Sequence, residues 1–244
     1  MKKMHRHLFA GQLFFTFLAA SSTWAVTIGQ IDTFENGTTQ GWIAGVAMGA
    51  PHPAPPANVL GGPAGATDHF LQLTSFGGNS PGARLSVLNL SQWAGNYITS
   101  GITSISMDLR NLGNTDLALR LAFEDPTGGP PSNVAFSKNA ILLPASGGWV
   151  HAVFPIGLSD LQAGLGSVST ALMNTTAIRL YHSDIPNFPN PVFPIAPITA
   201  RLGVDNIQAA SATSTRVPEN GSTAVLLVPA LLTIGYLKRR ATAS

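Results

Sequence analysis

Four stretches of this chain alternate apolar and polar residues: HFLQLTS (69–75), ARLSVLNL (83–90), ITSISMDLR (102–110) and LALRLAFED (117–125). A period of two puts every second side chain on the same face of an extended strand, so the pattern selects β-sheet over helix. In the third stretch, Thr103, Ile105, Met107 and Leu109 form the face predicted to be buried, while Ile102, Ser104, Ser106 and Asp108 form a mixed face. In the fourth, Leu117, Leu119, Leu121 and Phe123 point one way and Arg120 and Glu124 the other. Residues 27–34, 149–156, 177–183 and 202–210 supply further strand candidates.

Turn chemistry separates these runs. RNLGNTD (110–116) joins two strong strands over a short gap and reads as a hairpin turn. Residues 49–65 and 185–197 are too rich in proline and glycine for regular structure, and the second loop carries apolar residues suited to line a groove. Only residues 158–165, with Ser159 as N-cap, and the neighbourhood of Leu172 suggest helical turns. Eight or nine strands in one domain predict an all-β fold, an antiparallel β-sandwich of jelly-roll type. The chain has no cysteine, which excludes a disulfide scaffold, thiol chemistry and thiolate metal sites.

The two ends differ from the middle. Lys2, Lys3 and Arg6 precede an apolar run over residues 8–20 and small residues up to Ala25, the three parts of a secretory signal peptide in order. Residues 1–25 are read as that signal, 26–210 as the sandwich domain and 211–216 as a small-residue linker. The last segment, 217–240, holds the apolar stretch of residues 222–237, read as a short transmembrane helix with a proline inside it, followed by Lys238, Arg239 and Arg240. Its 16 residues fall short of the roughly 20 that span a bilayer comfortably. Six of the 13 lysines and arginines but only Glu219 of the 11 acids lie in these ends, leaving 7 against 10 between them, a net of −3 although the whole chain is +2. The basic excess therefore belongs to the ends and is no argument for a nucleic-acid partner.

Two resemblances follow from short motifs. IDTFENGTTQGW (31–42) and LGVDNI (202–207) resemble the opening and closing segments of galactose-binding-like jelly rolls, a class that includes many carbohydrate-binding modules. The resemblance implies that the first and last strands lie together, with a structural calcium held there by Glu35 and Asp205. VPENGST (217–223), the apolar run and the basic cluster resemble a PEP-CTERM sorting signal of the Val-Pro-acidic-x-Gly kind, with Asn220 where the usual motif has its second proline. That resemblance implies Val217, Pro218, Glu219 and Gly221 as the recognition motif and Lys238, Arg239 and Arg240 as the stop. It also implies processing by an exosortase, only transient contact with the membrane, and secretion to the envelope or extracellular matrix of a Gram-negative bacterium that makes exopolysaccharide.

No catalytic constellation stands out. Glu124 and Asp125 are the only adjacent acids and are expected at a solvated loop edge. His52, His69, His151 and His182 lack close metal spacing, and His151 and His182 are expected to face solvent. Trp42 and Trp149 are expected in the core. Trp93 and Tyr97, in SQWAGNY (91–97), are the candidates for an exposed sugar-stacking pair used with the 185–197 loop, although aromatics more often pack and a place in the core or as a loop plug is the favoured reading of the two. The main reading is a non-enzymatic matrix or surface protein. The alternative is a carbohydrate-binding module with a defined site for extracellular polysaccharide, and a polysaccharide hydrolase is the weakest of the three.

Overall fold

The computed structural model describes residues 25–45, 52–79, 82–125, 130–187 and 196–211. The signal peptide, the sorting motif, the apolar tail and its basic stop lie outside the described residues. No helix among the described residues is long and apolar enough to cross a membrane.

Thirteen strands and one short helix follow in chain order: β1 (Ile31–Asp32), β2 (Trp42–Ala44), β3 (Ala57–Leu60), β4 (His69–Phe76), β5 (Ser86–Asn89), β6 (Ser104–Asn111), β7 (Leu117–Asp125), β8 (Asn133–Ser137), β9 (Ile141–Leu143), β10 (Val150–Pro155), β11 (Leu161–Leu165), α1 (Val168–Met173), β12 (Ala177–His182) and β13 (Thr199–Ala210). They form a two-sheet antiparallel β-sandwich. Sheet A runs β10-β6-β13-β4-β3, with β1 on β13; sheet B runs β11-β8-β7-β12-β5-β2, with β9 on β7. The first and last strands do lie together, Ile31 opposite Gln208 and Asp32 opposite Ile207.

The alternation predicted for β6 and β7 sets the core. Ile105, Met107 and Leu109 meet Leu117, Leu119, Leu121 and Phe123 in one buried cluster between the sheets. Four expectations fail for identifiable reasons. Residues 110–116 do not close a hairpin: β6 lies in sheet A and β7 in sheet B. The buried Asn111 ties the link down, its Nδ2 donating to Thr115 O and Leu143 O while its Oδ1 accepts from Gly113 N. Residues 161–165 are strand, not helix, because they pair with β8; the short helix forms instead around Leu172, capped by Ser167 Oγ accepting from Thr170 N at 3.1 Å. The outward residues of β7 are also buried: Glu124 pairs with Arg179 at 2.6 Å, and Arg120 donates to Ser137 O, Lys138 O and Ser183 O. Glu124 is thus no solvated loop acid. His182 is likewise buried on sheet B and its Nδ1 accepts from Ala118 N at 3.0 Å, so its expected solvent exposure is overturned; burial holds its imidazole below the usual pKa.

The opening motif builds a local lock. Phe34 adopts φ +59°, a region costly for a residue with a Cβ, and both its backbone groups are held. Its N–H donates to Gln40 Oε1 at 2.7 Å and its carbonyl accepts from Asn58 Nδ2 at 2.7 Å.

Candidate functional site

The candidate sugar-stacking pair is in the core. Trp93 and Tyr97 are 0% and 1% exposed, so no sugar ring reaches either. Trp93 Nε1 donates to Asp32 Oδ2 at 2.7 Å, and Trp42 Nε1 donates to the same oxygen at 2.8 Å. Tyr97 OH donates to Trp93 O at 2.8 Å, and its ring meets Phe123 edge-on at 5.0 Å. Burial pushes the Tyr97 phenol well up, and burial also raises Asp32 against the lowering effect of its three side-chain donors, Trp93, Trp42 and Gln92. An apparent loop is thus a plug whose aromatics bury their apolar bodies and satisfy their polar tips. Of the 185–197 loop, the part at 188–195 lies outside the described residues; its described start follows the other end of β12 from this plug, and Asn187 O accepts from Tyr181 OH at 2.6 Å.

Trp149, expected in the core, belongs instead to the outer face of sheet A. In β10, Ala152 and Phe154 are buried inward, so the opposite parity, Trp149, His151, Val153 and Pro155, faces out. On β4, Leu71 and Leu73 face in and Phe70, Gln72, Thr74 and Phe76 face out; on β13, Leu202 and Val204 face in and Arg201, Gly203 and Asp205 face out. Register aligns these into rungs: Arg110, Gly203, Gln72 and Ala57 on one, Arg201 and Thr74 on the next, Thr199 and Phe76 on the third.

Two rings meet on this face. Phe70 and Trp149 pack edge-to-face with centroids 5.1 Å apart; Phe70 is buried beneath, Trp149 is half-buried, and neither belongs to the buried clusters between or behind the sheets. Gly203 makes room for them: a Cβ there would stand 2.8 Å from Trp149 Cη2 and 3.1 Å from Phe70 Cε2. The glycine lets both rings approach the sheet backbone closely. Trp149 Nε1 is buried with no hydrogen-bond partner among the described residues.

Polar groups surround the rings. Arg110 Nε donates to Gly147 O at 3.2 Å. His151 Nδ1 lies 2.9 Å from Asp108 Oδ1, and Asp108 Oδ2 accepts from Asn206 Nδ2 at 2.9 Å. His151 is exposed, as expected. Asn206, at φ +50°, forms the bulge that breaks β13 register after Asp205.

The two residues assigned to calcium stand apart in character. Asp205 is 1% exposed, and Asn206 N donates to its Oδ1 at 2.7 Å while Asn206 Nδ2 lies 3.3 Å from its Oδ2. Glu35 is exposed and its Oε1 accepts from His69 N at 3.0 Å. Among the described residues no group of three or more carboxylate or imidazole side chains is placed to hold a metal. Glu35, Asp68 and Asp108 are nonetheless close enough to act on Asp205, whose carboxyl is pushed up to about 7, first by burial and then by these three charges.

This raised carboxyl has a consequence for stability. The native state holds a proton on Asp205 that the unfolded chain releases near pH 3.9, so the native state binds more protons in the interval between. Stability contributed by protonated Asp205 is complete below about pH 4 and lost as pH rises through about 7. Asp205→Asn is expected to melt higher than the parent at pH 8, by on the order of 2–4 kcal/mol, with the two curves converging toward pH 4. Melting temperatures across that range check it; equal gaps at both ends reject the burial argument.

Comparison with known proteins supports the architecture. No family model matches the chain and no curated protein matches it in sequence. Among solved structures, part of an exo-beta-agarase superposes with TM-score 0.51 at 12% identity, covering 76% of this chain and 25% of that one. The family 11 carbohydrate-binding module of Clostridium thermocellum, solved with a mixed-linked tetrasaccharide, gives TM-score 0.47 at 17% identity, covering 77% of this chain and 98% of that one. The CBM22-1 xylan-binding domain of a Paenibacillus barcinonensis protein gives 0.41 at 15% identity, covering 77% and 99%. What is shared is the two-sheet antiparallel β-sandwich. Of these three, the agarase segment at 0.51 carries a likeness of fold alone, and the site rests on this chain's own residues.

Proposed function

We propose that this protein is an exported, non-catalytic polysaccharide-binding protein whose glycan lies along the outer face of sheet A. The observation that carries this reading is the half-buried Trp149, backed by the buried Phe70 over Gly203, on a sheet face that also carries polar side chains. The C–H faces of a sugar ring stack on aromatic surface, while its hydroxyl rim needs donors and acceptors. Gln72, Arg110, His151 and Thr74 supply such groups around the rings. Titration of the full chain with soluble β-linked glucans, xylans and agaro-oligosaccharides tests the reading, and no binding to any polymer rejects it.

Calcium at Glu35 and Asp205 is a separable part of the proposal. Its support is the negative charge crowded around Asp205, which a divalent cation with oxygen ligands would neutralise. Backbone carbonyls would have to complete the shell. The melting series above, repeated with calcium and with chelator, decides this: calcium should raise the melting temperature of the parent and not of Asp205→Asn.

The sorting reading rests on the sequence of the two ends. An exosortase substrate should be found outside the inner membrane and shortened near Val217, with Lys238, Arg239 and Arg240 absent from the mature form. A full-length chain retained in the inner membrane rejects it. Mass spectrometry of envelope and medium fractions distinguishes the two.

A further inference from the structure

Next to the aromatic pair, at the end of sheet A, lies a cleft of about 450 Å³ lined by residues of β4, β13, the β6–β7 link and Ser146. This volume is within the usual range for small-molecule sites. Its walls are Thr74, Phe76, Asn114, Ser146, Thr199 and Arg201, and its lining also includes Ser75, whose Oγ is buried with no partner among the described residues. Phe76 is 50% exposed, an aromatic ring open to solvent on the same outward row of β4 as Phe70. Cleft and platform adjoin: Arg201 is two residues from Gly203, about 7 Å along the strand, and Thr74 stands opposite it in register.

Among the residues lining the cleft, Arg201 alone is ionisable. Its Nη2 donates to Leu112 O at 3.2 Å, which fixes the exposed guanidinium at the wall. A guanidinium presents five N–H donors in a planar fork, a shape that matches a carboxylate with two parallel bonds. Asp116, in the β6–β7 link two residues from Asn114, is the acid next to the cleft, and its Oδ1 accepts from Ala145 N at 2.8 Å; the acids of the sheet face, Asp205 and Asp108, lie about 13 Å along the strand from Arg201 and are engaged with Asn206 and His151. That separation exceeds the screening length of about 8 Å in physiological salt, so the charges of these two hardly oppose an anion at the cleft. Thr74, Thr199, Ser146 and Asn114 offer neutral donors and acceptors suited to hydroxyl groups.

We infer that the cleft is an acid-sugar subsite, in which Arg201 pairs with the carboxylate of a uronate residue whose ring packs on Phe76, so that the polymer gripped by sheet A is anionic. This rests on the proposal that the outer face of sheet A binds glycan. The chain between its two ends carries net negative charge, so long-range attraction does not favour such a polymer. Selection for it must come from this local contact.

The test is a comparison of affinities. Galacturonate, mannuronate and glucuronate oligosaccharides, and the same oligosaccharides after reduction of their carboxyl groups, are titrated into the full chain. The parent is expected to prefer at least one uronate form over its reduced counterpart by tenfold or more, and to lose much of that preference in high salt. Arg201→Gln should collapse the ratio toward one, and Arg201→Lys should restore part of it. A parent that binds reduced and acidic forms equally overturns the inference and leaves the platform reading standing. A preference that persists in Arg201→Gln also overturns it. Binding to neither form overturns this inference, while the platform reading falls only if the neutral glucans, xylans and agaro-oligosaccharides also fail to bind.

Discussion

Trp149→Ala is expected to abolish measurable glycan binding while the protein remains folded. The two consequences separate because Trp149 lies outside both buried clusters, so its removal opens no cavity between the sheets. The folding cost is the apolar cover lost from Phe70, of the order of 1–2 kcal/mol. The binding cost is larger. Buried aromatic anchors at the centre of a recognition surface contribute about 2 kcal/mol or more, about 30-fold in affinity. Here the loss also frees the neighbouring ring, since Phe70 is held at 5.1 Å against the indole. Trp149→Phe, which keeps a stacking face and discards the unpartnered indole N–H, should retain part of the affinity. Calorimetric titration with a parallel thermal melt reads both quantities. Unchanged affinity in a folded Trp149→Ala protein removes the platform from the site.

A second arm of the same experiment tests why the platform exists. Gly203→Ala places a methyl group 2.8 Å from Trp149 Cη2 and pushes the pair off the sheet. It should weaken binding without touching any polar group of the face.

What the sequence disclosed depends on whether the deciding physics was local. The strand pattern was legible because alternation is written residue by residue, and β4, β6, β7 and β13 all follow it. The same alternation held the position of Trp149: it has the parity of His151, which sequence alone places on the solvent face, so the tryptophan belongs there too. Assigning it to the core set an average preference of large aromatics above the pattern of its own strand. The stacking role offered for Trp93 and Tyr97 failed in the opposite direction. Their surroundings look like a loop, and nothing local reveals that Asp32, 61 residues away, accepts from the Trp93 indole. The link after β6 was misread for a comparable reason: a short turn between two strong strands is the same string whether the strands pair or part, and here the edges of β6 are taken by β10 and β13. Residues 161–165 became strand by pairing with β8, a partner that their own spacing does not announce.

Trp93→Ala should then be the most damaging single change in the domain, and damaging to folding, not to recognition. Truncating a fully buried tryptophan costs about 3–5 kcal/mol. Asp32 in addition loses the shorter of its two indole donors, and a buried acid left short of partners adds about 1–3 kcal/mol. Against a typical total of 5–15 kcal/mol, the loss approaches or exceeds half of the stability. A cooperative melt should drop by roughly 10–20 °C or disappear. Trp93→Phe isolates the hydrogen bond: it keeps most of the ring volume, and its deficit should be only the 1–3 kcal/mol of the lost donor. The decisive comparison pairs this variant with Trp149→Ala. If Trp93→Phe melts lower yet binds glycan as the parent does, while Trp149→Ala melts nearly as the parent and does not bind, one tryptophan holds the sandwich together and the other holds the ligand. Loss of binding in a fully folded Trp93→Phe protein would contradict the geometry, because the Trp93 ring has no surface open to solvent.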